Sequence, residues 1–239
     1  MLDVRNLSVW FSSYSHGLRR HTTQAIRGLD LHLEPGRIMA VVGQSGAGKS
    51  LLAHALMGIL PRNAVVRGEM TFKGQPLTSE RLAALRGREI ALIPQSVAYL
   101  NPLLRVGAQI ARAARLSGHR DHQARAAAAE ALARYQLQPE VRQWFPFQLS
   151  GGMARRVLTA TATVGMADLL LADEPTNGLD DATARETLGH LRELADTGKA
   201  VLLITHDIPA ALTVADEVAV FCGGVTVEVA PVATFQASR

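Results

Sequence analysis

Eight consecutive residues narrow the folds open to this chain more than anything else in it: Gly43-Gln44-Ser45-Gly46-Ala47-Gly48-Lys49-Ser50 fits G-x-x-x-x-G-K-S. The apolar run Arg37 to Val42 precedes them with the look of a buried strand, and Lys49 to Leu60 follows with helical periodicity before Pro61 stops it. Strand, glycine loop and helix together make a phosphate site. The glycines let backbone N–H groups wrap an anion, and the helix N-terminus adds its partial positive charge. Lys49 supplies a cation for β- and γ-phosphates, and the Ser50 hydroxyl is a hard oxygen ligand suited to magnesium. Gly43, Gln44, Ser45, Gly46, Ala47, Gly48, Lys49, Ser50 and the adjoining Leu51 are therefore the candidate nucleotide-binding residues.

Two further segments carry chemistry that a phosphate loop needs. Leu169-Leu170-Leu171-Ala172 reads as an apolar strand ending in Asp173-Glu174, which puts two carboxylates at the carboxyl edge of a sheet. Asp173 suits the shell of a magnesium ion, and Glu174 suits a general base that takes a proton from attacking water. Leu149-Ser150-Gly151-Gly152-Met153 opens a helical segment with a serine cap and two glycines, a second place where backbone can approach an anion closely.

The rest of the chain alternates in a way that sets the fold class. Leu2 to Trp10 and Leu29 to Leu33 read as strands around a polar loop, Ser12 to Thr23, an antiparallel opening. Residues 97–166 read as mostly helical and alanine-rich, with Asp121 and Arg125 spaced to pair across one turn. After them come strand Leu169 to Ala172, helix Asp181 to Ala195, strand Ala200 to Ile204, helix Ile208 to Ala215 and strand Glu217 to Phe221. Gly223-Gly224 then marks a hairpin to Val225 to Val229. Such alternation predicts an α/β fold: a P-loop core with a parallel sheet flanked by helices, an N-terminal antiparallel β subdomain and an inserted helical subdomain.

With Leu149 to Met153 the chain resembles the ABC ATPases, whose signature is LSGGQ or a near variant. The resemblance covers nearly the whole chain and assigns other residues in the family's order. Gln95 resembles the Q-loop glutamine, Asp180 the D-loop aspartate, His206 the switch histidine and Phe11 the aromatic that stacks on adenine, with Trp10 and Tyr14 close by. It implies ATP and Mg²⁺ as cofactors, with Ser50, Gln95 and Asp173 around the metal and Glu174, His206 and Gln95 as catalytic residues. It also implies a head-to-tail dimer, in which Leu149, Ser150, Gly151, Gly152 and Met153 cap the nucleotide of a partner. One domain over 1–239 is expected, with its core in 1–96 and 167–239 and the helical subdomain in about 97–166.

Ile93-Pro94-Gln95 followed by Leu100-Asn101-Pro102, and Phe145-Pro146-Phe147-Gln148 before the signature, resemble the peptide and nickel importer branch. Gly58-Ile59-Leu60-Pro61 looks closest to its nickel-import D-type ATPase. That branch implies a second ATPase subunit in a heterodimer, with a homodimer as the alternative, two membrane permeases, a solute-binding protein acting indirectly, and a place on the cytoplasmic face of the inner membrane. Non-transport relatives, such as the accessory ATPase of carbon–phosphorus lyase, resemble the same importers and form the alternative. Three departures stand out: Ala154-Arg155 after the signature, Asn177-Gly178 before Leu179-Asp180, and the lack of a C-terminal cysteine cluster.

Composition limits the other classes. Apolar runs such as Val218 to Cys222 are strand-sized, against the roughly 18 residues a membrane span needs, and nothing at the N-terminus marks the chain for export. Cys222 is the single cysteine, so no disulfide within the chain is expected, and it reads as a small buried residue. A net charge of +4 is small, and Arg112, Arg115, Arg120, Arg125 and Arg134 are interspersed with alanine and lack stacking aromatics. They read as a solvated helix face, with no nucleic-acid partner expected. His119-Arg120-Asp121-His122 reads as a polar helix start, not a metal site.

Overall fold

Three adjacent strands split their side chains cleanly between two cores, as period-two alternation requires of a sheet covered on both faces. Met39 and Val41, Leu169 and Leu171, and Ala200, Leu202 and Ile204 enter one core. Ile38, Ala40 and Val42, Leu170 and Ala172, and Val201 and Leu203 enter the other.

The computed structural model describes residues 1–15, 19–44 and 46–237. Its first half runs β1 (Leu2–Ser15), β2 (Arg19–Leu33), β3 (Ile38–Val42), α1 (Lys49–Met57), β4 (Ala64–Phe72), β5 (Gln75–Pro76), α2 (Ser79–Leu85) and β6 (Ile90–Ile93). Then come α3 (Val106–Leu116), α4 (Asp121–Arg134), α5 (Gly151–Thr163), β7 (Leu169–Asp173), α6 (Asp181–Asp196) and β8 (Ala200–Thr205). The chain closes with α7 (Ile208–Leu212), β9 (Glu217–Cys222), β10 (Val225–Pro231) and α8 (Val232–Ala237). One sheet is antiparallel, in the order β2-β1-β4-β5. The other has the order β10-β9-β3-β8-β7-β6 and is parallel except for its edge strand β10.

The first core lies between the two sheets and takes in Leu52, Ala53 and Leu56 of α1. The second lies on the opposite face, under Leu188, Leu191 and Ala195 of α6. A third core is built mainly by helices. There Ile110, Ala114, Ala124, Ala128, Val157 and Ala160 draw α3, α4 and α5 together, and small alanines permit the close approach. At the amino edge of the parallel sheet, Asp216 accepts from Ile38 N–H (2.8 Å), Arg192 (2.8 Å) and Arg37 (3.0 Å). Burial pushes this carboxyl up, but the Ile38 N–H and the Arg192 and Arg37 guanidiniums more than offset it, leaving it below its usual range.

Several expectations need correction. Most of Ser12 to Thr23 is not loop: β1 continues to Ser15 and β2 begins at Arg19, paired through Ser12↔Thr22 and Phe11↔Thr23. A ladder needs only backbone groups and tolerates polar side chains on an open ribbon, so polarity misleads there. Helix α1 ends at Met57, three residues early, because Gly58 takes the left-handed cap at φ 62. Helix α7 likewise ends at Leu212. Asp121 pairs with Arg115 at 3.0 Å and not with Arg125, since Asp121 starts its helix and faces back toward the end of α3. Cys222 is exposed, lying at the last position of β9 before the turn. Strands β4, β5 and β6 and helix α2 fill a stretch to which the sequence assigns no element.

Candidate functional site

Parallel strands deliver their carboxyl ends to one edge, and four neighbouring ends converge here. Strand β3 runs into the glycine loop, β6 into Pro94-Gln95, β7 into Asp173-Glu174 and β8 into Thr205-His206. Among the residues described, Gly46, Gly48, Lys49, Ser50, Leu51, Gln95 and Glu174 line one cleft of about 250 Å³.

The loop's shape depends on its glycines. Gly43 has φ +155, and a Cβ there would stand 1.9 Å from the Phe221 carbonyl oxygen, so backbone of β9 occupies the side-chain space. Gly48 opens α1 at φ +94, with the Ala25 carbonyl oxygen 3.0 Å from a would-be Cβ. Ser45 lies outside the described residues. Lys49 is only 6% exposed, and its Nζ donates to the carbonyls of Gly43 (2.7 Å) and Gln44 (2.9 Å). The lysine thus curls over its own loop, next to the open N-terminus of α1.

Opposite the loop, the two carboxylates differ in surroundings. Asp173 is 1% exposed and accepts from the Ser50 hydroxyl at 3.1 Å. Burial pushes its pKa above the ordinary 3.8, opposed by the Ser50 hydrogen bond. Its pairing with a hydroxyl one residue beyond the lysine creates a small cluster of hard oxygens. Glu174 has φ +49, a left-handed backbone rare for a residue with a side chain. Its N–H donates to Ile204 O at 2.8 Å, and Arg155 Nη1 donates to its carbonyl at 3.1 Å. Its carboxylate meets His206 Nδ1 at 2.8 Å on Oε1 and accepts from Thr205 Oγ1 at 3.3 Å on Oε2. Both oxygens are thereby aimed.

The signature segment lies apart from this cleft. Ser150 caps α5 by accepting from Met153 N–H at 3.3 Å. Leu149 and Met153 pack on the helical core, Gly152 is half-buried, and Ser150 and Gly151 are exposed, with nothing within 4 Å of a Cβ built on Gly151. Asp180 caps α6, accepting from the N–H groups of Ala182 (3.1 Å) and Thr183 (3.0 Å), and the Thr183 bonds hold its carboxyl below the usual range. Phe11 is half-buried against the core between the sheets and does not line the cleft, while Trp10 stacks under Arg67 at 5.3 Å. His119 Nδ1 lies 3.0 Å from the Ala114 carbonyl oxygen, the local contact of a helix-end residue. Sequence reasoning overlooked Thr205 and Arg155 as partners of Glu174. Thr205 had a signal, adjacency to His206 at a strand end; Arg155 had none, because only the fold brings α5 to β7.

A family described as ABC transporter matches residues 26–177. The oligopeptide transport ATP-binding protein of Bacillus subtilis is 37% identical, with 95% of this chain and 65% of that protein covered. The dipeptide transport ATP-binding protein of the same organism is 36% identical, over 96% and 70%. The glutathione import ATP-binding protein of Pectobacterium atrosepticum is 39% identical, over 97% and 39%. The chain therefore spans roughly two fifths to seven tenths of these relatives' length. A dimeric bacterial ABC transporter cassette superposes with a TM-score of 0.85 at 24% identity, covering 97% of this chain and 99% of that one, a likeness of fold.

Proposed function

The chain belongs to the ABC transporter family, and we propose that it is the ATP-binding and ATP-hydrolysing subunit of an importer, acting as half of a nucleotide-sandwich dimer. The observation that carries the reading is a division of labour. Lys49, Ser50, Gln95 and Glu174 share one cleft, whereas the second phosphate-binding helix start, Ser150-Gly151, opens to solvent elsewhere. A head-to-tail partner would set its own Ser150-to-Gly152 segment over this cleft. Residues 1–96 and 167–239 act as the catalytic core, and about 97–166 as the helical subdomain.

In this reading Gly43 to Leu51 cradle the phosphates, Lys49 turns from the Gly43 and Gln44 carbonyls to the β- and γ-phosphates, and the part of Phe11 that is not packed on the core stacks on adenine beyond the phosphate cleft. The Ser50 hydroxyl, Asp173 carboxylate and Gln95 amide form a hard oxygen set that fits Mg²⁺, which would neutralise phosphate charge. Glu174 takes the proton of the attacking water, with Thr205 and His206 fixing its two oxygens. Asp180, at the head of α6, faces the dimer seam. Loss of the γ-phosphate removes the charge-assisted contacts that close the dimer.

The relatives named for oligopeptide, dipeptide and glutathione import support a peptide-like cargo, with a nickel chelate as the competing one. Among the described residues no helix is long and apolar enough to cross a membrane. The likeness to importer ATP-binding subunits supports two permeases, on other chains, as the route for cargo. An apolar groove of about 420 Å³ between the helical lobe and the core, lined by Tyr99, Ala113, Leu158 and Ala162 among others, suits a short permease helix. Binding there would hold the chain on the cytoplasmic face of the inner membrane, beside a second, non-identical ATPase subunit, with an external solute-binding protein engaged only indirectly. The test is a pull-down of tagged protein from detergent-solubilised membranes, with ATP turnover assayed on the product. Recovery of two permeases is the expected result; recovery with soluble enzymes alone, as a carbon–phosphorus lyase accessory ATPase would give, overturns the transport role.

A further inference from the structure

We propose that Arg155 is a positioning residue that ties the helix opening at Ser150 to the backbone of Glu174. Seating of that helix end on a nucleotide held by a second cassette then sets the general base of this chain's own site. The proposal rests on the ATPase reading above and adds to it a physical link between the two nucleotide sites of a dimer.

The link begins with helix geometry. Arg155 lies four residues after Gly151 in α5, a single uninterrupted helix from Gly151 to Thr163, so a shift of its exposed first turn is transmitted to Arg155 with little loss. Two adjacent arginines then divide their contacts. Arg156 Nη1 donates to the carbonyls of Tyr135 (3.3 Å) and Gln136 (3.2 Å) at the end of α4, inside the helical lobe. Arg155 Nη1 crosses to the core and donates to the Glu174 carbonyl at 3.1 Å. One helix therefore grips both the lobe and the catalytic strand end.

The partner that Arg155 takes is informative. A half-buried guanidinium offsets its desolvation through charge-assisted hydrogen bonds. The hydrogen bond of Arg155 goes to a main-chain oxygen outside its own lobe, at a residue held at φ +49. Left-handed conformation in a residue with a side chain persists only where its surroundings enforce it. Here the enforcement comes from Ile204 O on the Glu174 N–H and from two donors on the Glu174 carbonyl, the Asn177 N–H at 3.2 Å within the turn and Arg155, the one that reaches it from α5. Rotation of this peptide would swing the carboxylate away from Thr205 and His206. The position also belongs to the unusual Ala154-Arg155 pair, so the contact is a property of this chain's residues.

The experiment uses the assembled transporter, measuring steady-state ATP turnover, equilibrium ATP binding and melting temperature for Arg155→Met, Arg155→Lys and Glu174→Gln. Arg155→Met keeps the aliphatic stem and removes the donor; Arg155→Lys keeps a donor. In Arg155→Met, kcat is expected to fall about tenfold, with ATP affinity within about twofold of wild type and reduced cooperativity in ATP. Arg155→Lys is expected to recover most of the rate. A parallel loss of rate, affinity and melting temperature in both Arg155 variants would mark a merely structural role and overturn the proposal. Wild-type turnover and cooperativity in Arg155→Met, with Glu174→Gln inactive in the same preparation, would overturn it too while leaving the ATPase reading intact. Wild-type turnover in Glu174→Gln would remove that reading and the link together.

Discussion

His206 Nδ1 stands 2.8 Å from Glu174 Oε1, with the imidazole largely exposed and the carboxylate buried. The pair joins the ends of two adjacent parallel strands, β7 and β8, whose register places Asp173 beside Ile204. That register fixes which oxygen of Glu174 the histidine meets and leaves the other to Thr205. Glu174→Gln preserves shape and the Thr205 contact but removes the proton acceptor. Turnover is expected to fall about 10²- to 10⁴-fold with nucleotide binding kept, and a closed dimer is expected to accumulate in ATP. Size-exclusion chromatography with and without ATP, beside a turnover assay, checks both. Undiminished turnover would remove Glu174 from the role of general base.

Lys49→Ala is expected to behave in the opposite way, because it touches binding before chemistry. The buried ammonium bridges the Gly43 and Gln44 carbonyls, and its loss removes both the loop's internal tie and the cation meant for the phosphates. Charge-assisted bonds of this kind are worth about 1.5–3 kcal/mol each, so ATP affinity should drop at least about tenfold. Titration with a fluorescent ATP analogue decides the matter; unchanged affinity would show that the loop binds by backbone alone.

The phosphate loop also allows two glycines to be compared. Gly43→Ala forces a Cβ into the Phe221 carbonyl oxygen, a backbone atom that cannot step aside without breaking β9 from β3. Gly46→Ala meets nothing within 4 Å and suffers only its φ of +81, a strain of about 1–2 kcal/mol. Thermal melting of the nucleotide-free proteins should show a far larger loss for Gly43→Ala. Equal losses would mean that backbone strain, not the close approach to β9, governs the loop.

These contrasts trace what the sequence makes legible. Residues whose function lies in local chain geometry, Gly43 to Ser50 between strand and helix and Asp173-Glu174 at a strand end, are readable because spacing along the chain already places them. The parallel sheet is readable from its alternation with helices, and the helical lobe from its alanine-rich periodicity. Contacts that depend on how distant elements are stacked are not. Arg155 reaches Glu174 only because α5 lies across the end of β7, and Phe11 packs on the core because of a ladder with β4 that its own neighbours do not specify. The hairpin of β1 and β2 was obscured for a related reason: its ladder is built from backbone, and its polar side chains mimic a loop.

Asp173 gives the nucleotide-free fold a pH dependence. Its carboxyl is almost fully buried, and burial raises its pKa above 3.8 despite the Ser50 hydrogen bond. A carboxyl raised in the folded state favours folding in its protonated form. Its contribution is fully present below the unfolded value and is lost as pH climbs through the folded one. At neutral pH the ionised group therefore burdens the nucleotide-free fold, and Asp173→Asn, which keeps an acceptor for Ser50, should melt higher than wild type. The gap should narrow as pH falls through the folded value and close only below the unfolded one, about 3.9, where the carboxyl is neutral in both states. Saturating Mg-ATP should reverse the order, because the ionised oxygen then faces cations and only the wild type gains that attraction. Melting curves taken from acid to neutral pH, with and without Mg-ATP, provide the check. A gap that stayed constant with pH would mean that packing, not ionisation, distinguishes the two proteins at this position.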